Sequence, residues 1–440
     1  MLSAAAATPP VWMILPFALL LGTIALAPLV ASAWWSRHYP KVAFGLGAIT
    51  VGYYLFGLHA GARVWHTAEE YFSFICLVGS LYVVSGGIHL KVKGGATPLE
   101  NTVFLAVGAV LANFFGTTGA SMLMIRPWIR MNKMRITAHH IVFFIFIVSN
   151  VGGALTPIGD PPLFLGYLKG VPFWWVAAHC WPMWTVALGL LLGMFLVVDF
   201  LNFRRVPPAL QQEARQADQW TFQGTANLAF LAVILGAVFL SRPPFLREFL
   251  MLAAAAGSYW TTPRPVHEAN HFEFHPVKEV AILFIGIFAT MMPALDWLEH
   301  NAAMLGTPTP ALFFWGSGTL SSVLDNAPTY LSFLSAGIGA LVTPAALAQG
   351  QAVLPALSAS HPEIAALLAD PALVRLLMAI SMGAVFFGAN TYIGNGPNFM
   401  VKAIADQQGC HTPTFLGYVG RFTLPFMGPV LIVVWWVFFR

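Results

Sequence analysis

Gly153 to Phe164 reads G-A-L-T-P-I-G-D-P-P-L-F, and Gly388 to Phe399 repeats it as G-A-N-T-Y-I-G-N-G-P-N-F, with seven of twelve positions identical. The first copy follows an apolar helical run, Ile141 to Val148, and then sets Gly, Thr, Pro and an ionisable Asp where the helix should continue. Paired interruptions at corresponding places in two halves of a polytopic protein point to a transporter's binding site.

The composition around this stretch is that of a membrane protein. The 440 residues are 58% hydrophobic and only 9% charged, against roughly 25% charged in soluble domains. Apolar runs long enough to cross the hydrocarbon recur along the chain, without the alternating pattern of an outer-membrane barrel. The expected fold is therefore an all-α polytopic membrane protein. The net charge of +4 reads as the Lys/Arg excess of cytoplasmic loops and not as a nucleic-acid surface. Cys76, Cys180 and Cys410 lie far apart with no metal-ligand spacing, which argues against a disulfide framework and a zinc site. The apolar run Val11 to Trp35 is too long for a signal-peptide core and is read as an uncleaved first span.

Leu99 to Phe115 is apolar, Gly116-Thr117-Thr118-Gly119 breaks it, and Ala120 to Met131 continues, with Arg126, Arg130, Lys133 and Arg135 close behind. Were this one crossing, those charges would face away from Lys91 and Lys93, against the positive-inside rule. Two half-helices that enter and leave on the cytoplasmic side satisfy both clusters, so a re-entrant hairpin is expected. Pro310 to Leu324 and Ala327 to Leu341, split at Asp325-Asn326, form a second broken pair inside a stretch from Lys278 to Arg375 that has no intervening Lys or Arg. That pair is expected to enter from outside.

The two hairpins are offset by 209 residues (Gly116 to Asp325) and the two interruptions by 235 (Asp160 to Asn395), and the loop Thr343 to Asp370 accounts for the difference. The pattern implies about ten spans plus two re-entrant hairpins in two inverted-topology repeats. The first repeat covers 42–200, the second 245–440, and a cytoplasmic linker 202–219 separates them. Most of the 21 Lys and Arg residues then lie inside, with both termini periplasmic in a multi-pass bacterial inner membrane protein.

Two tips and two interruptions should converge on one cavity. The side chains available there are Asn113, Thr117, Thr118, Ser149, Asn150, Thr156 and Asp160 from the first half. Ser322, Asp325, Asn326, Thr329, Asn390, Thr391, Asn395 and Asn398 come from the second. No phosphate loop, catalytic triad or metal-ligand spacing occurs among them, so the chain does not read as an enzyme and no resident cofactor is expected. Intramembrane carboxylates are costly and usually serve ion or proton pathways. Asp325 and Asp160 could alternatively be helix N-caps, a routine use of Asp. His139-His140 is expected at the membrane interface, the segment His59 to Glu70 as a polar connection, and Glu69, Glu70, Glu299 and His300 as solvated loop charges.

S-N-V-G-G-A-L-T-P-I-G-D-P-P at Ser149 to Pro162 and S-S-V-L-D-N-A-P-T at Ser321 to Thr329 resemble the ion-transporter superfamily, most closely its NhaD-type sodium/proton antiporters and the related citrate transporters. The resemblance implies inverted repeats with sodium sites at the hairpin tips, a homodimer, and an elevator-like motion of a transport domain against a scaffold. The dicarboxylate branch carries Ser-Asn-Thr at both tips, whereas this chain has Gly116-Thr117-Thr118 and Asp325-Asn326-Ala327. The expectation is Na+/H+ antiport, with Asp325, Asn326, Asp160, Thr156 and Thr391 holding the transported Na+. Asp325 carries most of that reading, because its counterpart Gly116 makes the half-sites unequal. Coupled uptake of citrate, a dicarboxylate or another anion is the alternative.

Overall fold

The computed structural model describes residues 9–92, 95–205, 221–240, 242–301 and 308–440. Helix dominates, and among the described residues the only sheet is an antiparallel pair, His89–Lys91 with Thr221–Gln223. Among the described residues seven helices are long and apolar enough to cross a membrane, so the chain is an all-α polytopic membrane protein.

One of those seven is not a single straight helix but folds back on itself. Pro98–Met131 has 34 residues and would span about 51 Å if straight. Instead its ends meet: the Ala96 N–H donates to the Met131 carbonyl at 3.2 Å. Asn101 donates to Asn132 at 2.7 Å, Phe104 stacks on Trp128 at 5.7 Å, and Gly108 faces Met124. These pairs form an antiparallel ladder that closes at Gly116, whose φ of 72° and ψ of 157° break the helix. That backbone region is essentially reserved for glycine. The hairpin starts cleanly because Thr97 and Glu100 form a capping box with Pro98 in the first turn, each feature satisfying or removing an orphan N–H. Gly116→Ala should cost roughly 1–3 kcal/mol, read as a lowered thermal midpoint of the purified protein.

The second hairpin comprises Pro310–Ser321 and Asn326–Leu341, which fold back so that Phe313 meets Phe333 at 5.7 Å. Asp325 lies at its tip. Each hairpin precedes an interrupted helix. The first is Ala138–Ile147, a break, then Pro161–Leu168; the second is Pro371–Phe387, a break, then Gly396–Gln407. The two hairpin bases lie toward opposite ends of the helix Trp175–Phe203, which carries Asp199 near its C-terminal end and begins shortly after Lys169, a neighbour of Glu299. The first sits beside Asp199, whereas the second sits beside Glu299, where the backbone of Gly339 packs directly on the Glu299 backbone. His275–Asn301 packs on both Ser32–Gly52 and Gly61–Gly86, and this assembly is in turn packed against the hairpins, Gly61–Gly86 on the first and His275–Asn301 on the second.

Several local expectations are corrected. His59 to Glu70 is not a polar connection: the helix Gly61–Gly86 begins at Gly61 and makes Glu70 part of its buried face. The segment 343–370 is not an irregular loop but contains the helices Pro344–Val353, Pro355–Ser358 and Pro362–Ala369. Each opens on a proline that is free of the helix penalty at the first turn. The expected linker 202–219 is helical at Asn202 and Phe203, and from residue 206 onward lies outside the described residues.

Candidate functional site

A break in a membrane helix frees backbone groups that have no water to bond, so neighbouring polar side chains must satisfy them. Most of the candidate residues do that. Asn113 donates to the Gly152 carbonyl at 2.7 Å and accepts from the Leu155 N–H at 3.0 Å. Thr156 donates to the Asn113 carbonyl at 2.7 Å and accepts from the Gly159 N–H at 3.0 Å. In the second break Thr391 donates to the Ser322 carbonyl at 2.5 Å and accepts from the Gly394 N–H at 3.1 Å. Thr156 corresponds to Thr391 at the offset of 235, and Asn113 to Ser322 at the offset of 209, so these bonds are one motif made twice.

Asn398 donates to the Gly388 and Thr391 carbonyls at 2.7 and 2.8 Å, and Asn150 donates to the Ile145 carbonyl at 2.9 Å. Asn150 also donates to Asn398 Oδ1 at 2.7 Å, which ties the two breaks together. Ser149 pairs with Ser121 at 2.8 Å, Asn390 donates to Ser322 at 2.9 Å, and Thr329 donates to the Asp325 carbonyl at 2.9 Å. Gly159 lies so close to the Gly153 carbonyl that no side chain fits there. The freed backbone groups of the breaks are thus held largely by their own polar side chains, although the buried Asn390 Oδ1 has no hydrogen-bond partner among the described residues.

Asp160 is the exception. It occupies the N-cap position of Pro161–Leu168 but makes no capping hydrogen bond, so the capping alternative does not hold for it. Its fully buried carboxylate accepts from Thr117 Oγ1 at 2.9 Å and Asn395 Nδ2 at 3.1 Å on one oxygen, and from Asn326 Nδ2 at 2.7 Å on the other. Thr117 corresponds to Asn326 and Asp160 to Asn395, so equivalent positions from both halves meet on a single carboxylate. All three donors are neutral. The Asn326 Oδ1 beside it is buried and has no hydrogen-bond partner among the described residues.

Asp325 does cap: its Oδ1 accepts from the Ala327 N–H at 3.0 Å, and the residue is half-buried. Thr118 makes none of these bonds and lines a cavity between the first tip and Phe74, Leu77 and Leu81 of helix Gly61–Gly86.

The expected interfacial histidines are in fact buried. His139 and His140 lie with their Nε2 atoms 3.3 and 3.0 Å from Asp199 Oδ1, at the base of the first hairpin. The His, His, Asp grouping has metal-ligand proximity, but its donor chemistry does not fit a metal. Asp199 already accepts from both Arg135 Nη atoms and from Asn101 at 2.9 Å. His140 Nδ1 accepts from the Thr137 N–H at 3.2 Å, so its Nε2 carries the proton in the neutral ring. It therefore has no lone pair to offer there.

A family model described as "Putative citrate transport" matches residues 6–439. The chain is also similar to the inner membrane protein YbiR of Escherichia coli (strain K12), with 24% identity over 288 residues that cover 62% of this chain and 73% of that protein.

Proposed function

We propose that the chain, which belongs to the family described as "Putative citrate transport" and is a secondary transporter of the membrane, exchanges Na+ for H+ in the manner of the NhaD-type antiporters. The observation that carries this reading is Asp160: a fully buried carboxylate where both halves meet, bonded only to neutral donors. Among the described residues no Lys or Arg is paired with it, so a proton or a metal cation is the natural partner of its charge. Thr117 can turn its hydroxyl from donor to cation ligand, and the unpartnered Asn326 Oδ1 supplies a further oxygen. Asn113, Asn150, Asn395 and Asn398 each donate to a backbone carbonyl, which holds their orientation.

The opposed hairpins and the bonds repeated at fixed offsets support two inverted-topology repeats, 42–200 and 245–440. On the same reading both termini face the periplasm of a bacterial inner membrane, and the protein works as a homodimer. The second reading, coupled uptake of citrate or a related anion, is favoured by the family description. Purified protein in liposomes decides between them. Under an imposed sodium gradient the internal pH should shift; sodium-dependent citrate accumulation with no pH response to Na+ or Li+ would replace antiport by uptake.

A further inference from the structure

Polar ties between the hairpin and broken-helix elements and the helices Gly61–Gly86 and His275–Asn301 gather at one face, the one opposite Asp199. Glu70 is 7% exposed, and its Oε1 lies 2.8 Å from Lys169 Nζ, at the end of Pro161–Leu168, and 3.2 Å from His66 Nε2. Ser335, in the outer limb of the second hairpin, donates to Glu299 at 3.0 Å. The corner after Lys169 is also clasped. Gly170 has φ of 108° and lies against the ring of His361, which belongs to the segment 343–370.

Nearer the Asp199 face the same two groups of elements meet differently. There Gly116 approaches Leu81 and Gly119 approaches Ser85, and no ion pair joins the first hairpin to Gly61–Gly86 among the described residues. Ionic ties on one face and close packing without ion pairs on the other make a hinge with one fastened edge. Glu70 is buried whereas the Lys169 side chain is 24% exposed, so the attraction between them weakens as further water enters, which suits a contact that must be either made or broken.

We propose that Glu70–Lys169, with Glu299–Ser335 beside it, is a latch. It holds Pro161–Leu168 and the second hairpin docked on Gly61–Gly86 and His275–Asn301, and it opens whenever the buried site gains access to that face. The inference rests on secondary transport but not on which ion or anion is carried. Amide hydrogen exchange on the purified full chain, with no substrate added, tests it. Glu70→Gln and Lys169→Met should each raise exchange severalfold in the peptides that carry the breaks and tips, 153–164 and 322–329. The charge swap Glu70→Lys with Lys169→Glu should return exchange toward the unsubstituted level, which guards against a single variant that simply fails to fold. Exchange that rises only around 66–72 and 165–172, or does not rise at all, would overturn the latch and leave a local staple. Unlike the liposome assay, this measurement needs no assumption about substrate, so failure of antiport and failure of the latch are separable.

Discussion

Asp160→Asn should abolish coupled Na+ and H+ movement in liposomes while the protein still folds. Losing the charged member of a buried cation site costs about 2–5 kcal/mol of binding, and each 1.4 kcal/mol is about tenfold in affinity, so apparent Na+ affinity should fall by about thirtyfold to a few thousandfold. The fold should tolerate the change. Asn is nearly isosteric, its carbonyl can still accept from two of the three donors Thr117, Asn326 and Asn395, and an uncompensated buried charge is removed. The thermal midpoint should therefore stay close to that of the unsubstituted protein. Asp325→Asn makes the contrast: Asn caps a helix about as well as Asp, so the bond to the Ala327 N–H survives and transport should fall far less. If Asp325→Asn silences the protein and Asp160→Asn does not, the carrier carboxylate has been assigned to the wrong residue.

That contrast also marks how far the sequence could be read. Both hairpins were legible because Gly116 and Asp325 interrupt apolar runs, and charge bias forbids a plain crossing at Arg126 to Arg135. The breaks were legible because Gly, Pro and Thr cannot continue a membrane helix unaided. The division of labour among the polar residues was not. Asn113, Thr156, Thr391 and Asn398 are the residue types an ion site would use, yet they are occupied by backbone groups of the breaks, and only the folded arrangement shows which carboxylate is left over. Asp160 and Asp325 precede helices alike, and one-dimensional information cannot tell which turns inward. Glu70 and Asp199 were missed for a related reason: their partners Lys169 and Arg135 lie 99 and 64 residues away, and no local pattern links them.

Asp199→Ala should be among the most destabilising single substitutions in the chain, by about 3–5 kcal/mol. The carboxylate gathers the Arg135 guanidinium, Asn101, His139 and His140, and Asn202 adds a bond to the Arg135 carbonyl at 3.0 Å. Its removal leaves the buried guanidinium with the Ala96 carbonyl at 3.0 Å as its remaining hydrogen-bond acceptor. The cost comes mainly from that stranded charge and not from the lost pair, so Asp199→Leu combined with Arg135→Met should recover much of the loss. Thermal midpoints of Asp199→Leu, Arg135→Met and the double variant form the cycle that checks this, and a double variant no more stable than Asp199→Leu would refute the stranded-charge account. The position of the knot gives the cycle a functional side. It fastens both limbs of the first hairpin, through Asn101 and Asn132, to the start of the broken helix and to Trp175–Phe203. From that base the hairpin reaches in to set Thr117 on Asp160 and its N–H on the Gly159 carbonyl at 2.7 Å. A loosened base moves the tip, so transport should fall in Asp199→Ala even below its unfolding temperature, and the double variant should regain stability before it regains transport, because Met and Leu restore packing without restoring the directional bonds that aim the hairpin.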